Sequence, residues 1–221
     1  MGLIKQDFKR KGGIRDARLI VIACEGSETE PRYFAALKAA FQKSNLQVEI
    51  LSRKEWGIAA TNSAAKHVIE CLNRFKKQYN IAKDDELWIL LDGDKDNFSE
   101  GQLSEIAQLC TQKKYNLALS NPTFEVWLLL HFENIALYDT DKQKELLENE
   151  KVSNNKRILE KQLETHLEGY NKAKFHVTPL MENVKTAIEH ATLLPLSPNE
   201  RWHLGLGTRV HEVVKTIIAY P

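Results

Sequence analysis

The sequence predicts a mixed α/β fold in which helices flank a mainly parallel sheet. Two observations carry this prediction: apolar runs of strand length alternate with segments of helical periodicity, and the first run is continuously apolar, as in a strand buried on both faces. Alternating strands and helices favour βαβ units with right-handed crossovers. At 221 residues the chain is long enough for one sizeable core with an insertion, or for two small domains.

Four apolar runs are predicted as strands, and helices are predicted between and after them. The first helix has Ser27 or Thr29 as a candidate cap and Pro31 in its first turn. The last helix follows Gly207 and has an apolar stripe. The predicted strands are Arg18–Cys24, Leu46–Leu51, 86–91 and 116–119, and the middle helices are 59–77, 99–112, 122–132 and 178–194.

The composition changes along the chain and suggests four parts. Residues 1–17 form a basic N-terminal arm, and 18–138 form the α/β core. Residues 139–180 are rich in Lys, Glu, Gln and Asn, with leucines at helical spacing, and are predicted as a charged helical insertion with a solvated face. Residues 181–221 supply the C-terminal helices that complete the core.

Bulk composition excludes several protein classes. Hydrophobic residues make up 43% of the chain and charged residues 28%, as in ordinary globular proteins. No apolar run approaches the roughly 20 residues that span a bilayer, so no membrane association is expected. Cys24, Cys71 and Cys110 are odd in number and widely spaced. They indicate reduced thiols and a cytoplasmic protein.

The overall charge does not by itself indicate a nucleic-acid binder, because the formal net charge is only +1. The first 18 residues are locally basic and could hold a phosphate backbone, although a solubilising tail explains them equally well. The charged residues of this stretch are Lys5, Lys9, Arg10, Lys11, Arg15 and Arg18 against Asp7 and Asp16.

Acidic residues follow three of the predicted strands. Glu25 follows the first strand, Asp92 and Asp94 follow the third, and Glu125 lies just after the fourth. In parallel sheets the carboxyl ends of the strands meet at one edge, where reactive groups collect. Gathered carboxylates repel one another unless a cation binds them. Oxygen ligands of this kind predict Mg²⁺ or Mn²⁺ rather than Zn²⁺. Asp96 is expected to face water in a polar loop.

Glu125 is predicted to face this acidic cluster. Its helix reads Thr-Phe-Glu-Val-Trp-Leu-Leu-Leu-His-Phe and is apolar on nearly every side, which indicates burial. A buried carboxylate costs several kcal/mol unless it is paired. The helix N-terminus supplies only about 0.3–1 kcal/mol, and the helix has no basic residue. A metal shared with the other acids is therefore the expected partner.

Four motifs, in order along the chain, resemble a known family. They are CEGSETEPRYF at 24–34, LLDGDKD at 90–96, SNPTFEVWLLLHF at 120–132 and GTRVHEVV at 207–214. A strand followed by Glu-Gly, and another by Asp-x-Asp, resembles the Toprim domain of topoisomerases, primases and OLD-type nucleases. The full set is more similar to the RloB-like family of bacterial phage-defence and restriction loci.

The resemblance implies a Toprim-like nuclease of antiviral defence (abortive infection) that works beside an AAA- or ABC-type ATPase. It implies that Glu25 assists proton transfer at the leaving oxygen or binds metal, and that Asp92 and Asp94 hold metal. OLD-type nucleases carry a second acid four residues after the first. Here that position is Thr29, and the neighbouring Glu30 is the expected replacement. The substrate is DNA or RNA, including tRNA, and homo-oligomerisation is left open.

Other side chains are weaker candidates. Lys172, which follows Gly169-Tyr170, is considered as a catalytic cation near the scissile phosphate, with a solvated lysine as the alternative. His211 is considered catalytic, with a capping role as the alternative, and Thr208 is predicted as the N-cap of its helix. His131 is predicted to pack in the core, and so are Trp88 and Trp127.

Two other functions remain open from the sequence. The chain could be a Toprim-shaped regulatory subunit that binds an ATPase and does no chemistry. It could also be a primase-like phosphoryl transferase, although it has no P-loop and no zinc ribbon and is short for a polymerase.

Overall fold

The computed structural model describes residues 5–8, 17–52, 56, 64–94, 98–153, 156–196 and 201–219. Most of the predicted basic N-terminal arm therefore lies outside the described residues, and so does Asp96. Within these ranges the strands are β1 (Gln6–Asp7), β2 (Arg18–Cys24), β3 (Leu46–Leu51), β4 (Tyr79–Asn80), β5 (Glu86–Asp92), β6 (Asn116–Asn121), β7 (Lys151–Ser153), β8 (Lys156–Arg157) and β9 (Gly207–Thr208).

Helices connect most of these strands. They are α1 (Thr29–Ala40), α2 (Ala64–Gln78), α3 (Glu100–Lys113), α4 (Glu125–Leu129), α5 (Thr140–Glu148), α6 (Ile158–Glu164), α7 (Thr178–Glu182), α8 (Val184–Leu193) and α9 (Val210–Ala219). None of these helices is long and apolar enough to cross a membrane.

The central sheet has five strands in the order β3-β2-β5-β6-β9. β2 pairs in parallel with β3 and β5, and β5 pairs in parallel with β6. Only β9 is antiparallel, on β6. The predicted mainly parallel α/β sheet is thus confirmed, and the arrangement is consistent with a Toprim-like fold.

Helices cover both faces of the sheet, which explains the continuous apolar run of β2. Alternate residues of β2 belong to two separate core clusters, with Ile20 and Ile22 on one face and Leu19 and Val21 on the other. The first face packs against α1, α4, α6, α8 and α9. The second face packs against α2 and α3. A strand with apolar contacts on both sides cannot alternate apolar and polar residues.

The segment predicted as a charged helical insertion contributes to the first of these cores. It contains α5 and α6, and it also contains a β7–β8 hairpin that the sequence did not predict. Leu146, Leu159 and Leu163 are fully buried and join the cluster that contains Ile20 and Ile22. The mixed charges therefore mark only the outer side of these helices.

Two predicted helices are shorter than expected. The helix predicted over 122–132 is regular only as α4, and the helix predicted over 178–194 is divided into α7 and α8 at Asn183. The predicted cap of α1 is wrong, because Glu28 takes the N-cap position without a side-chain hydrogen bond. Thr208 does cap α9, since the Val210 N–H donates to its hydroxyl at 3.1 Å.

Candidate active site

A cleft of about 270 Å³ lies where the parallel strands end at their carboxyl edge. β2 leads into Glu25, and β5 ends at Asp92. The first turn of α1 and the start of α4 close the cleft from the side. Its lining residues are Glu25, Gly26, Ser27, Glu28, Thr29, Glu30, Asp92, Phe124, Glu125 and Lys172.

Glu25 and Asp92 are fixed by backbone donors that join three elements. The Asp92 N–H donates to Glu25 Oε2 at 3.0 Å, which connects the end of β2 to the end of β5. The Phe124 N–H donates to Asp92 Oδ1 at 2.8 Å, which connects β5 to the segment leading into α4. Both carboxylates are therefore held by the main chain at the strand ends.

Glu30 occupies space that Gly26 leaves empty. The Gly26 N–H donates to Glu30 Oε1 at 2.8 Å, so the side chain folds back over the chain that precedes α1. A Cβ at position 26 would lie 2.2 Å from Glu30 Oε2. The glycine is thus required for the close approach of this carboxylate. Glu30 is 5% exposed in the cleft, whereas Glu28, on the other side of Thr29, is exposed to solvent.

Glu125 lies in the cleft with the other acids, and its nearest cation is a lysine. Glu125 is 2% exposed. Lys172 Nζ lies 3.1 Å from Glu125 Oε1, and the Tyr170 hydroxyl donates to the same oxygen at 3.3 Å. The sequence argument considered bases only within the helix of Glu125 and so missed this ion pair.

Lys172 bridges two carboxylates at the mouth of the cleft. It also lies 3.4 Å from Glu160 Oε1 of α6, and its side chain remains 47% exposed. Partial burial lowers the pKa of Lys172, but Glu125, Glu160 and Asp92 outweigh this effect, so the net shift is upward. The lysine is therefore held in its charged form.

The clustered acids repel one another. Burial raises the pKa of Glu30 to about 7, against the opposing effect of the Gly26 N–H and with support from the charges of Glu125 and Glu25. Burial also raises the pKa of Asp92 well above its usual range, with contributions from Glu30, Glu125 and Glu25. Despite Lys172, the cleft is short of positive charge.

The chemistry of the donor atoms suits a hard divalent cation, but the described residues do not form a complete site for one. Carboxylate oxygens are the usual ligands of Mg²⁺ and Mn²⁺. Among the described residues, however, no three His, Cys, Asp or Glu side chains converge as ligands of one metal ion.

Two predicted site residues are not among the described residues that line the cleft. Asp94 follows Gly93, whose N–H donates to Ser120 O at 2.7 Å, and it is not part of the described cleft lining. His211 is also not part of this lining. Its ring nitrogens contact Thr208 O at 3.1 Å and Glu212 Oε1 at 2.9 Å, and burial lowers its pKa. These contacts are those of a residue in the first turn of α9.

The predicted core aromatics are buried as expected. His131 contacts the Tyr33 hydroxyl at 3.2 Å and Trp127 O at 2.9 Å, and burial lowers its pKa to about 3. Trp127 is fully buried, and Trp88 donates to Glu86 at 2.7 Å. These side chains hold the core of the α4 region.

Tyr170 and Glu160 are the site residues that the sequence analysis missed. Both lie in the segment of mixed charge whose pattern carries no catalytic motif. The available signal was Gly169, which has a φ of 65° and starts the turn that presents Tyr170 and Lys172 to the cleft.

Comparison with known proteins agrees with the four motifs. A family model described as RloB-like protein matches residues 20–217. No curated protein and no solved structure matches the chain. The match covers all the residues that line the cleft. It also covers the nine helices that the structure describes, apart from the end of α9. The chain belongs to the RloB-like protein family.

Proposed function

We propose that this protein is a divalent-metal-dependent nuclease that cleaves nucleic-acid phosphodiesters in antiphage defence. One observation carries the proposal: Glu25, Glu30, Asp92 and Glu125 line one small cleft at the carboxyl edge of the sheet, with Lys172 at its mouth. Collecting these carboxylates costs stability, as the raised pKa values of Glu30 and Asp92 indicate. A purely structural role gives no return for that cost.

The four carboxylates would hold Mg²⁺ or Mn²⁺. When bound, such a cation polarises the phosphoryl oxygens and lowers the pKa of a coordinated water. Glu25 is held at the end of β2 by the Asp92 N–H, where it can exchange a proton with the departing oxygen. Lys172 carries a persistent positive charge beside Glu125 and would stabilise the negative charge that develops on the phosphoryl group.

The residues of the cleft and one water molecule account for the bonds and protons of the hydrolysis. The water oxygen forms a new bond to phosphorus, and the bond from phosphorus to the departing ribose or deoxyribose oxygen breaks. The proton released from the water passes to a carboxylate of the cleft, and the departing oxygen receives a proton from the site or from solvent. Asp94 and His211 are not among the described residues that line this cleft, and their catalytic roles stay predictions.

We also propose that an AAA- or ABC-type ATPase controls the enzyme, because unregulated cleavage would harm the host cell. We expect the isolated chain to cut weakly until its partner binds. The surface of α5 and α6 and the basic N-terminal arm are the candidate docking regions. Co-expression with such an ATPase, followed by pull-down and a cleavage assay, tests this control.

A second candidate function is a regulatory subunit that binds an ATPase without chemistry. The observation in its favour is that no three acids of the described residues converge on one metal position. It leaves unexplained why Glu30 and Glu125 are buried close to one another.

A substrate panel separates the two functions. Single-stranded and duplex DNA, single-stranded RNA and tRNA are incubated with purified protein, with and without Mn²⁺ and with and without the ATPase. The nuclease proposal expects Mn²⁺-dependent cleavage that Asp92→Asn abolishes and that Lys83→Ala, at the opposite edge of the sheet, leaves unchanged. The proposal is contradicted if Asp92→Asn cleaves at the same rate as the parent. It is also contradicted if the parent cleaves no substrate under any condition with the partner present.

A further inference from the structure

The turn that carries Lys172 is docked against the first two turns of α1, beside the cleft. The Thr29 hydroxyl donates to Lys172 O at 3.3 Å, and Arg32 Nε donates to Phe175 O at 3.0 Å. The Arg32 guanidinium also lies over the Phe175 ring, 5.4 Å from its centroid. Phe175 itself is buried, so the turn has a fixed position relative to the acidic cleft.

The geometry of the turn exposes its basic residues. Lys174 N–H donates to Asn171 O at 2.9 Å, and Ala173 N–H donates to Asn171 Oδ1 at 2.9 Å, which closes the turn on itself. Arg32, Lys172 and Lys174 are exposed at its surface. The segment 169–176 reads Gly-Tyr-Asn-Lys-Ala-Lys-Phe-His and contains no acidic residue.

A nucleic acid needs additional positive charge at this site to offset the acids of the cleft. The acids of the cleft repel phosphates, and Lys172 is already paired with Glu125 and Glu160. Arg32 and Lys174 differ, because the contacts of Arg32 with Phe175 use Nε and the face of the guanidinium. Its two terminal nitrogens can still form a bidentate contact with a phosphate, and an exposed lysine beside it adds a second charge.

We propose that Arg32 and Lys174 form a phosphate-contacting rim that holds the nucleic-acid backbone next to the scissile bond. The proposal rests on the nuclease function and adds a substrate-binding surface to it. The substrate is recognised there by its sugar–phosphate backbone, since contacts to phosphate carry no information on base identity. Binding through this rim is therefore independent of sequence and sensitive to salt.

A binding assay tests the rim separately from cleavage. All proteins carry Asp92→Asn so that the probe is not cut, and the probe is a fluorescein-labelled single strand of DNA or RNA of about 20 nucleotides. Lys174→Ala and Arg32→Gln are compared with Lys83→Ala, which removes an equal charge from an exposed lysine in the turn before β5, at the opposite edge of the sheet. Thermal unfolding confirms that each variant is folded.

The rim predicts that Lys174→Ala weakens binding about fivefold near 0.1 M salt and lowers the slope of log affinity against log salt by about 0.7. Arg32→Gln has at least the same effect, and Lys83→Ala has none. If the parent protein binds while Lys174→Ala and Lys83→Ala behave alike, the rim is refuted and the nuclease function is untouched. If the parent binds no probe, the rim is also refuted. The Mn²⁺ cleavage panel then decides whether the nuclease function is refuted as well.

Discussion

Replacing Glu30 by glutamine should stabilise the metal-free protein at alkaline pH and change it little in acid. Glu30 is 5% exposed, and burial raises its pKa from the ordinary value of 4.5 to about 7. The folded state therefore binds this proton more tightly than the unfolded state. Stability from the protonated carboxyl is fully present below about pH 4.5 and is lost as the pH rises through about 7.

The magnitude follows from the size of this shift. At about 1.36 kcal/mol for each pKa unit, the charged carboxylate costs the folded state about 3 kcal/mol above pH 8. Glutamine has nearly the same shape and can still accept from the Gly26 N–H, but it cannot ionise. For a chain of this length the gain corresponds to about 6–12 °C in the unfolding midpoint.

The assay is urea unfolding of both proteins from pH 4.5 to 8.5 in the presence of a chelator. The difference in unfolding free energy between Glu30→Gln and the parent should grow by about 3 kcal/mol across this range, because pH effects from groups that do not interact with Glu30 cancel in the difference. Glu28→Gln is the matched control, since Glu28 lies in the same turn but is exposed. A difference for Glu30→Gln that does not change with pH would refute the argument.

Three further predictions concern the parts that support the cleft. Tyr170→Phe removes the hydroxyl that donates to Glu125 and should lower the unfolding free energy by about 1–1.5 kcal/mol in urea; an unchanged midpoint contradicts this. Leu163→Ala should lower the free energy of unfolding by about 2–5 kcal/mol. Leu137→Ala should lower it by less than about 0.5 kcal/mol, because Leu137 is 80% exposed. Equal losses would mean that α6 is not part of the core. Burial lowers the pKa of His131 to about 3, so its contribution to stability is present above about pH 6.5 and is lost as the pH falls. His131 should therefore lower the unfolding free energy of the parent by about 5 kcal/mol between pH 7 and pH 3, and His131→Gln should lack this loss. If the unfolding free energy of the variant depends on acid pH as that of the parent does, the burial of His131 is contradicted.

The strands and the acidic edge could be predicted because local sequence determines them. A continuous apolar run such as Arg18–Cys24 is compatible with few structures other than a strand covered on both faces. Once the sheet is parallel, residues that follow its strands share one edge. The positions of Glu25 and Asp92 therefore followed from the strand pattern alone.

The partners of Glu125 could not be predicted in the same way. Tyr170 lies 45 residues further along the chain, in a segment whose leucines and charges carry no catalytic motif. The packing of α6 against α4 positions Glu160, and the docking of the turn 169–176 on α1 positions Lys172 at the cleft. Periodicity assigns a residue to a face of its own helix, but it does not say which distant segment covers that face.

Asp94 and His211 lie in motifs of the family, but a matching motif does not fix where a side chain lies. Asp94 follows Asp92 by two residues, but the chain between them is held by the bond from Gly93 N–H to Ser120 O, and only Asp92 lines the cleft. His211 lies in a motif of the family, and its two ring nitrogens contact Thr208 and Glu212. Their catalytic roles stay predictions.

Calorimetric titration of Mn²⁺ into the parent protein and into Asp92→Asn tests the central claim most directly. If the carboxylates of the cleft hold a catalytic metal, the parent protein binds Mn²⁺ with a measurable heat, and Asp92→Asn, which remains folded, does not. Lys83→Ala should bind as the parent does, because it lies at the opposite edge of the sheet. Equal affinity of the parent and Asp92→Asn for Mn²⁺ would contradict the metal site and the nuclease mechanism built on it.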